Sequence, residues 1–292
     1  MRLFAALVAM STIVSAADLA IDHVTVAGRD LKAMQARLAA IGIRSEYGGR
    51  HQNHATEMAI TSFPDGSYLE LIALQPDADP KAVAAHYWSE QMEDNAGPCA
   101  WAIRPKDMPA EIARLRAAGV QVGAASRSGR NRPDGKRLDW ETANLGPEPN
   151  GTFFPFMIRD FSPRDLRAYL DGSPATADFR GVRRVVIAVR DLKVSVDRYR
   201  QAFDLPAPAG QVDERFGARL AGLRGTPVVL AEPLNSHSWL AGRIAKFGEG
   251  PCAFVLQTAR ADRYETASRT QWFGAEISWF DDGRLGWRLG IE

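Results

Sequence analysis

Cysteine is nearly missing from this chain, which has Cys99 and Cys252 and no others in 292 residues. Two thiols cannot build a disulfide framework. Net charge is scarce as well: 36 basic against 35 acidic side chains leave +1, and no run of one sign stands out. That removes the electrostatic argument for a nucleic acid or an anionic membrane as partner. Histidine is used sparingly, five times, so each one counts. Motifs for nucleotide binding or hydrolysis are also lacking. There is no P-loop, no glycine-rich dinucleotide fingerprint, no HExxH and no serine elbow. What remains, 46% apolar and 24% charged residues, is the composition of a folded globular protein.

One charge-free stretch stands apart. It runs from Leu3 to Ala17, follows Arg2 and ends in small residues. Val14-Ser15-Ala16 or Ser15-Ala16-Ala17 would suit a cleavage site. Residues 1–17 thus have the layout of a secretory signal peptide and are too short to span a bilayer. They predict export to a periplasm or beyond; a misassigned start would instead leave the protein in the cytoplasm. No membrane partner is expected after cleavage.

The chain repeats itself. Ile21–Leu31, IDHVTVAGRDL, returns at Val182–Leu192 as VRRVVIAVRDL, with five of eleven positions identical. The cysteines echo this, since Gly97-Pro98-Cys99-Ala100 matches Gly250-Pro251-Cys252-Ala253. Repetition at this distance marks duplication of a whole structural unit. Equivalent positions in two copies usually lie far apart, so two buried thiols are expected rather than a disulfide.

Four similar units emerge from the pattern. The first has a strand at 21–27, a helix at 30–41 with Asp30 as N-cap and Gly42 as stop, and strands ending at 68–74 after an Asp65-Gly66 turn. A connecting helix at 80–93 follows. The second has a strand at 99–103, a helix at 107–118 and strands at 120–124, 138–145 and 152–158. Its loop 126–136 is expected to be exposed and mobile. Residues 163–180 read as a linker. The third unit has a strand at 182–189, a helix at 191–203, strands near 216–220 and 228–231, and a connecting helix near 238–247. The fourth has a strand at 252–257, a helix near 261–269, and strands at 275–280 and 285–291 around an Asp282-Gly283 turn. The order β-α-β-β-β, four times over, predicts an α+β fold in which paired units form two curved mixed sheets. It divides the chain into a domain at 18–162, the linker, and a second domain at 181–292. The concave face of such a sheet is where a small ligand would bind.

Alternation along the strands sets His23 opposite Val24 and Val26, and Glu70 opposite Leu69 and Leu71. The apolar set should pack under the helix, leaving His23 and Glu70 in the cup. An ionised carboxylate in YLELIAL needs a partner, either a cation or a metal.

Asp22-His23, Gly48-Gly49-Arg50-His51, Thr56 and Tyr68-Leu69-Glu70-Leu71 together resemble the glyoxalase-like branch of the vicinal oxygen chelate superfamily. The likeness is closest over 20–160 and departs from the branch's motif at Ala55 and Met58. It implies paired βαβββ units. It also implies a divalent metal (Fe, Mn, Zn or Ni) used in lyase, isomerase or dioxygenase chemistry, or else a metal-free cup that sequesters a small molecule. The resemblance would place further ligands in the second unit, but Ala100 and Pro155 stand at the aligned positions. His51 or His54 is then the candidate third ligand beside His23 and Glu70, and His51 matches the motif. Without that third ligand in its usual place, lyase or isomerase chemistry is preferred to dioxygenase chemistry, with Glu70 or a nearby His, His23 foremost, moving a proton. Trp140 resembles the family's aromatic at its position, and Phe153 shares the phase assigned to the cup. Arg50 and Arg137 are candidates to steady an anionic substrate group. The third and fourth units hold Arg184, Ala253, Val229 and Trp287 where ligands would be, so the second half reads as a degenerate partner or a cup anchored by Arg184. A small molecule is the expected partner. Enzyme and binder both remain open, as do monomer and homodimer.

Overall fold

The computed structural model describes residues 19–132 and 134–292, so the leader-like segment lies outside the described residues. The first half runs β1 (Ile21–Ala27), α1 (Leu31–Ala40), β2 (Glu46–Arg50), β3 (Thr56–Ser62), β4 (Tyr68–Leu74), α2 (Pro80–Ala84), α3 (Ser89–Glu93), β5 (Gly97–Ile103), α4 (Met108–Ala117), β6 (Ser126–Asn131), β7 (Arg137–Ala143), β8 (Phe156–Asp160) and α5 (Arg164–Ala168). The second half runs β9 (Phe179–Ala188), α6 (Leu192–Phe203), β10 (Ala209–Asp213), β11 (Ala218–Gly222), β12 (Val228–Pro233), α7 (Trp239–Phe247), β13 (Gly250–Thr258), β14 (Ser268–Trp272), β15 (Ala275–Trp279), α8 (Asp282–Leu285) and β16 (Arg288–Ile291).

The strands form two eight-stranded mixed sheets, ordered β2-β3-β4-β1-β5-β8-β7-β6 and β10-β11-β12-β9-β13-β16-β15-β14. The second order is the first with eight added to every label, so the duplication seen in the sequence is a duplication of topology. Within each sheet the two units meet at an antiparallel pair, β1 with β5 and β9 with β13, while the first and last strands of each unit run parallel. Three of the four units start their helix with the same device. Asp30, Asp107 and Asp191 accept the backbone N–H three residues on, from Ala33, Ala110 and Val194. Each such cap is worth about 1 kcal/mol.

Val24, Val26, Leu69 and Leu71 are buried and pack with Leu31, Met34 and Leu38 of α1, as alternation requires. That cluster continues without a break into Val185, Ile187, Leu230, Phe254 and Leu289 of the other sheet. The two sheets therefore share one core between their helix-bearing faces, and each keeps its other face for a cup.

Several expected elements differ. Residues 120–124 make only the single bridge Val122 to Leu145. Residues 126–131 of the expected loop form β6, paired along its length with β7. An edge strand with one solvated face needs few apolar residues, so its polarity reads as loop. The last strand of the second unit begins at Phe156 rather than at residue 152. Gly151 sits at φ +72° and its carbonyl accepts from Trp101 N–H, which keeps 151–155 out of the ladder. In the fourth unit the expected helix is one 3-10 turn at Ala261–Arg263, and Asp282-Gly283 opens α8 under an Asp281 cap instead of turning a hairpin. The stretch 163–180 carries α5 and the start of β9. Both cysteines are free and buried.

Candidate functional site

The first sheet's concave face holds a cavity of about 800 Å³, its open mouth included. Its floor is β1 and β4. Its walls come from the loop after β2, the residues between α2 and α3, and β6 to β8.

A buried cluster fixes the floor. Asp22 is fully buried, and its Oδ1 lies 2.6 Å from His23 Nδ1. Arg167 of α5 binds both oxygens of Asp22, at 3.0 and 2.8 Å, and both oxygens of Asp160, at 2.5 and 3.0 Å. Arg164 also donates to Asp22 Oδ2. Burial alone would raise the Asp22 pKa, but Arg167, Arg164 and the His23 contact outweigh it and hold the carboxyl well below its usual range. An ionised acceptor at Nδ1 puts the imidazole proton there and leaves the Nε2 lone pair facing the cup. The His23 ring is further held by stacking on Tyr68, with centroids 4.8 Å apart and planes within 4°. Tyr68 in turn receives a hydrogen bond from Arg167, 2.6 Å long.

Glu70 sits beside this ring. Its Oε2 accepts from the Thr25 hydroxyl at 3.2 Å and lies 3.7 Å from His23 Nε2. Its Oε1 lies 3.8 Å from His51 Nε2. His51 reaches the cup through a bulge. The β2–β3 register slips between Tyr47 and Gly49, and Gly49 takes φ +106°, a conformation only glycine adopts readily. The slip turns His51 inward and Arg50 out to solvent. His51 Nδ1 is 2.8 Å from the Thr56 hydroxyl, which again leaves Nε2 for the cup. Burial lowers the His51 pKa, with Glu70 opposing.

Of the residues singled out from the sequence, His23, His51, Glu70 and Trp140 line this one cavity. His54 is exposed, with φ +58°. Arg50 is exposed, and Arg137 stands half-exposed against Asp139 at 2.8 Å. Neither arginine lines the cup. Phe153 belongs to the core between the sheets, packed on Phe154 and Tyr199, because the late start of β8 gives the cup Phe156 and Ile158 instead. Ala100 and Ala102 both present alanine to this side.

Four residues of the cup escape the sequence reading. His86 and Trp88 arrive because the expected helix 80–93 breaks at 85–88 into two short ones. The run His86-Tyr87-Trp88, unusually aromatic for a connector, was the available signal. His86 Nδ1 accepts the Trp88 N–H at 3.2 Å, and burial pushes its pKa down to about 4. Arg130 of β6 and Arg167 of α5 were passed over because they lay in segments read as loop and linker.

The second sheet's concave face is filled. Phe216, Trp272 and Trp279 pack there under Leu240 and Ile244 of α7, and Trp272 Nε1 donates to Asp213 at 2.6 Å. Arg184 pairs with Glu292 at 2.6 Å, Ala253 and Val229 are core, and Trp287 is buried.

A family model described as the glyoxalase-like domain matches residues 21–203, well over half the chain. The chain belongs to the glyoxalase-like domain family. That family places it in the vicinal oxygen chelate superfamily, whose paired units the two sheets display. No curated protein matches by sequence. Among solved structures, a hypothetical protein from Staphylococcus aureus aligns with TM-score 0.62 at 14% identity, covering 93% of this chain and 98% of its own. A mutant of 4-hydroxymandelate synthase from Streptomyces coelicolor aligns with TM-score 0.60 at 11% identity, covering 94% and 91%. At these identities the likeness is one of fold.

The donors fit a divalent metal in kind, since two imidazoles and a carboxylate suit Fe, Mn, Zn or Ni. Among the described residues, no group of three or more His, Cys, Asp or Glu side chains is placed to hold a metal ion. Ligands about 2.1 Å from one ion at ordinary angles stand about 3.0–3.4 Å apart. The gaps of 3.7 and 3.8 Å are too long for hydrogen bonds, and they run to different oxygens of Glu70, so the three side chains would have to turn and draw together to meet one ion.

Proposed function

We propose that the N-terminal cup of this glyoxalase-like protein takes a small oxygenated organic substrate and carries out lyase or isomerase chemistry, with Glu70 moving the proton. The observation that carries this reading is the placement of Glu70. It is a carboxylate on an apolar strand, and each of its oxygens faces the Nε2 of an imidazole already pinned through its other nitrogen. His23, His51 and Glu70 would hold a divalent ion, which when bound supplies a Lewis acid for a substrate oxygen. The rest is the work of the side chains. Thr25 orients the Glu70 carboxylate through Oε2. Trp88, Trp140 and Phe156 wall the cavity and keep water from the reacting atoms. His86, neutral above about pH 4, adds no positive charge to compete for the carboxylate.

Metal analysis of purified wild type beside a His23→Ala/Glu70→Ala variant tests the metal. Stoichiometric metal in the wild type alone supports it, and equal, negligible content in both refutes it. That no three such side chains among the described residues are placed to hold an ion favours a second reading, a metal-free cup that sequesters its ligand. That reading expects ligand-dependent thermal stabilisation that a chelator leaves unchanged.

A further inference from the structure

We propose that the cup is selective for substrates bearing a carboxylate, and that Arg130 is the residue that selects them; this rests on the cup reading above and adds a substrate class to it. Arg130 lines the cavity from β6 with 1% of its surface exposed. Its Nη1 donates to the Gly48 carbonyl at 2.6 Å, joining the two edge strands β6 and β2 across the mouth of the sheet. Its Nη2 is buried and has no hydrogen-bond partner.

The charge count around the cavity makes that nitrogen informative. Asp22 and Asp160 answer Arg164 and Arg167, two charges of each sign in direct contact. Of the charged side chains lining the cavity, Glu70 and Arg130 are then left, and they form no ion pair with each other. A buried guanidinium stays charged, and leaving one donor and the charge unmet is costly. A carboxylate meets both, because its two oxygens match the guanidinium fork. A ligand whose carboxylate sits on Arg130 would turn its other oxygens toward Glu70 and the imidazoles. A strut between β2 and β6 needs only the Nη1 bond, so the strut alone leaves Nη2 unexplained.

The test is calorimetric titration of pyruvate and lactate, each against its methyl ester, into wild type, Arg130→Gln and Arg130→Lys. Glutamine removes the charge but its amide ends two bonds short of Nη1, so a thermal melt of each variant beside wild type separates a disturbed strut from a lost anion contact. The acids are expected to bind wild type roughly 30-fold more tightly than the esters, and Arg130→Gln is expected to erase that preference while Arg130→Lys retains part of it. Esters binding as well as acids, acid binding unchanged in Arg130→Gln, or no acid binding at millimolar concentration overturns the inference. Should Arg130→Gln fail to fold, the acid-to-ester ratio in wild type decides alone. Failure of the cup reading is separable: an acid preference that survives Glu70→Gln in a protein devoid of metal leaves Arg130 as an anchor and removes the chemistry. Equal acid and ester binding lost in Glu70→Gln does the reverse.

Discussion

Asp22→Asn is the change that most directly probes how the cup is held. The substitution keeps shape and volume and removes one charge from a site with no solvent. Asp22 Oδ1 meets His23 Nδ1 and Arg167, while Oδ2 meets Arg164 and Arg167. All of these neighbours are donors, so whichever way the asparagine amide turns, its NH2 faces at least one N–H. Two guanidinium groups also lose one of their two shared counter-charges, keeping only Asp160. Breaking a buried pair from one side costs about 3–5 kcal/mol. At about 2–4 °C per kcal/mol for a chain of this size, the melting temperature should fall by about 10 °C. Urea unfolding followed by far-UV circular dichroism reads the free energy directly. The pH dependence gives a second check. Asp22 is ionised in the folded state well below its ordinary range, so its contribution is full above the unfolded carboxyl value of 3.8 and is lost as pH falls through the lower folded value. The gap between wild type and variant should therefore stay constant from pH 7 to about 5 and narrow only below about pH 4. A destabilisation under about 1 kcal/mol, or a gap that closes near pH 6, would refute the reasoning.

Other expectations follow from single contacts. His86 has a pKa of about 4 when folded against 6.5 when free, so the unfolded chain takes up the proton first and stability falls as pH drops through that window. The loss is at most about 3 kcal/mol, and His86→Gln should flatten a plot of unfolding free energy against pH between 6.5 and 4. Trp272→Ala should cost about 3–5 kcal/mol in urea unfolding, because it empties a fully buried site and takes the indole donor from Asp213 Oδ2, while leaving ligand binding in the first cup unchanged. Cys99 and Cys252 are free and buried, with the Cys252 thiol pushed up to about 12. Both should react with a thiol reagent only after denaturation.

What the sequence disclosed, and what it hid, divides along a physical line. Signals that repeat within a strand or helix were legible. The alternation in IDHVTVA and YLELIAL set Val24 and Leu69 under α1 and His23 and Glu70 in the cup, and the aspartates at 30, 107 and 191 marked helix starts. The site's remaining members depended on backbone events that carry no such period. Gly49's positive φ sets the phase of Arg50 and His51. The detour at Gly151 sets the phase of β8, which is why Phe153 went to the core and Phe156 to the cup. Each event inverts the faces of everything beyond it, so a correct strand assignment with the wrong start yields the wrong side chain. Arg130 and Arg167 were hidden for another reason. Charged residues in polar stretches are ordinarily solvated, and only the tertiary fold shows that Asp22, Asp160 and the cavity take these two out of water.

The two cups differ by a trade between packing and polarity. In the second sheet the concave face is closed by Phe216, Trp272 and Trp279, a large apolar burial that stabilises the fold and leaves little room for a ligand. In the first sheet the same face carries Asp22, His23, Glu70, Arg130 and Arg167, groups whose desolvation opposes folding unless each is met. Because one apolar core runs between the sheets through Val26, Met157, Ile187 and Phe254, burial in the second half supports the first directly. A chain that fills one cup and shares the core can therefore keep the other open and charged. On this argument the degenerate half is no idle duplicate: it supplies stability that the polar cup, judged by its own burial, draws down.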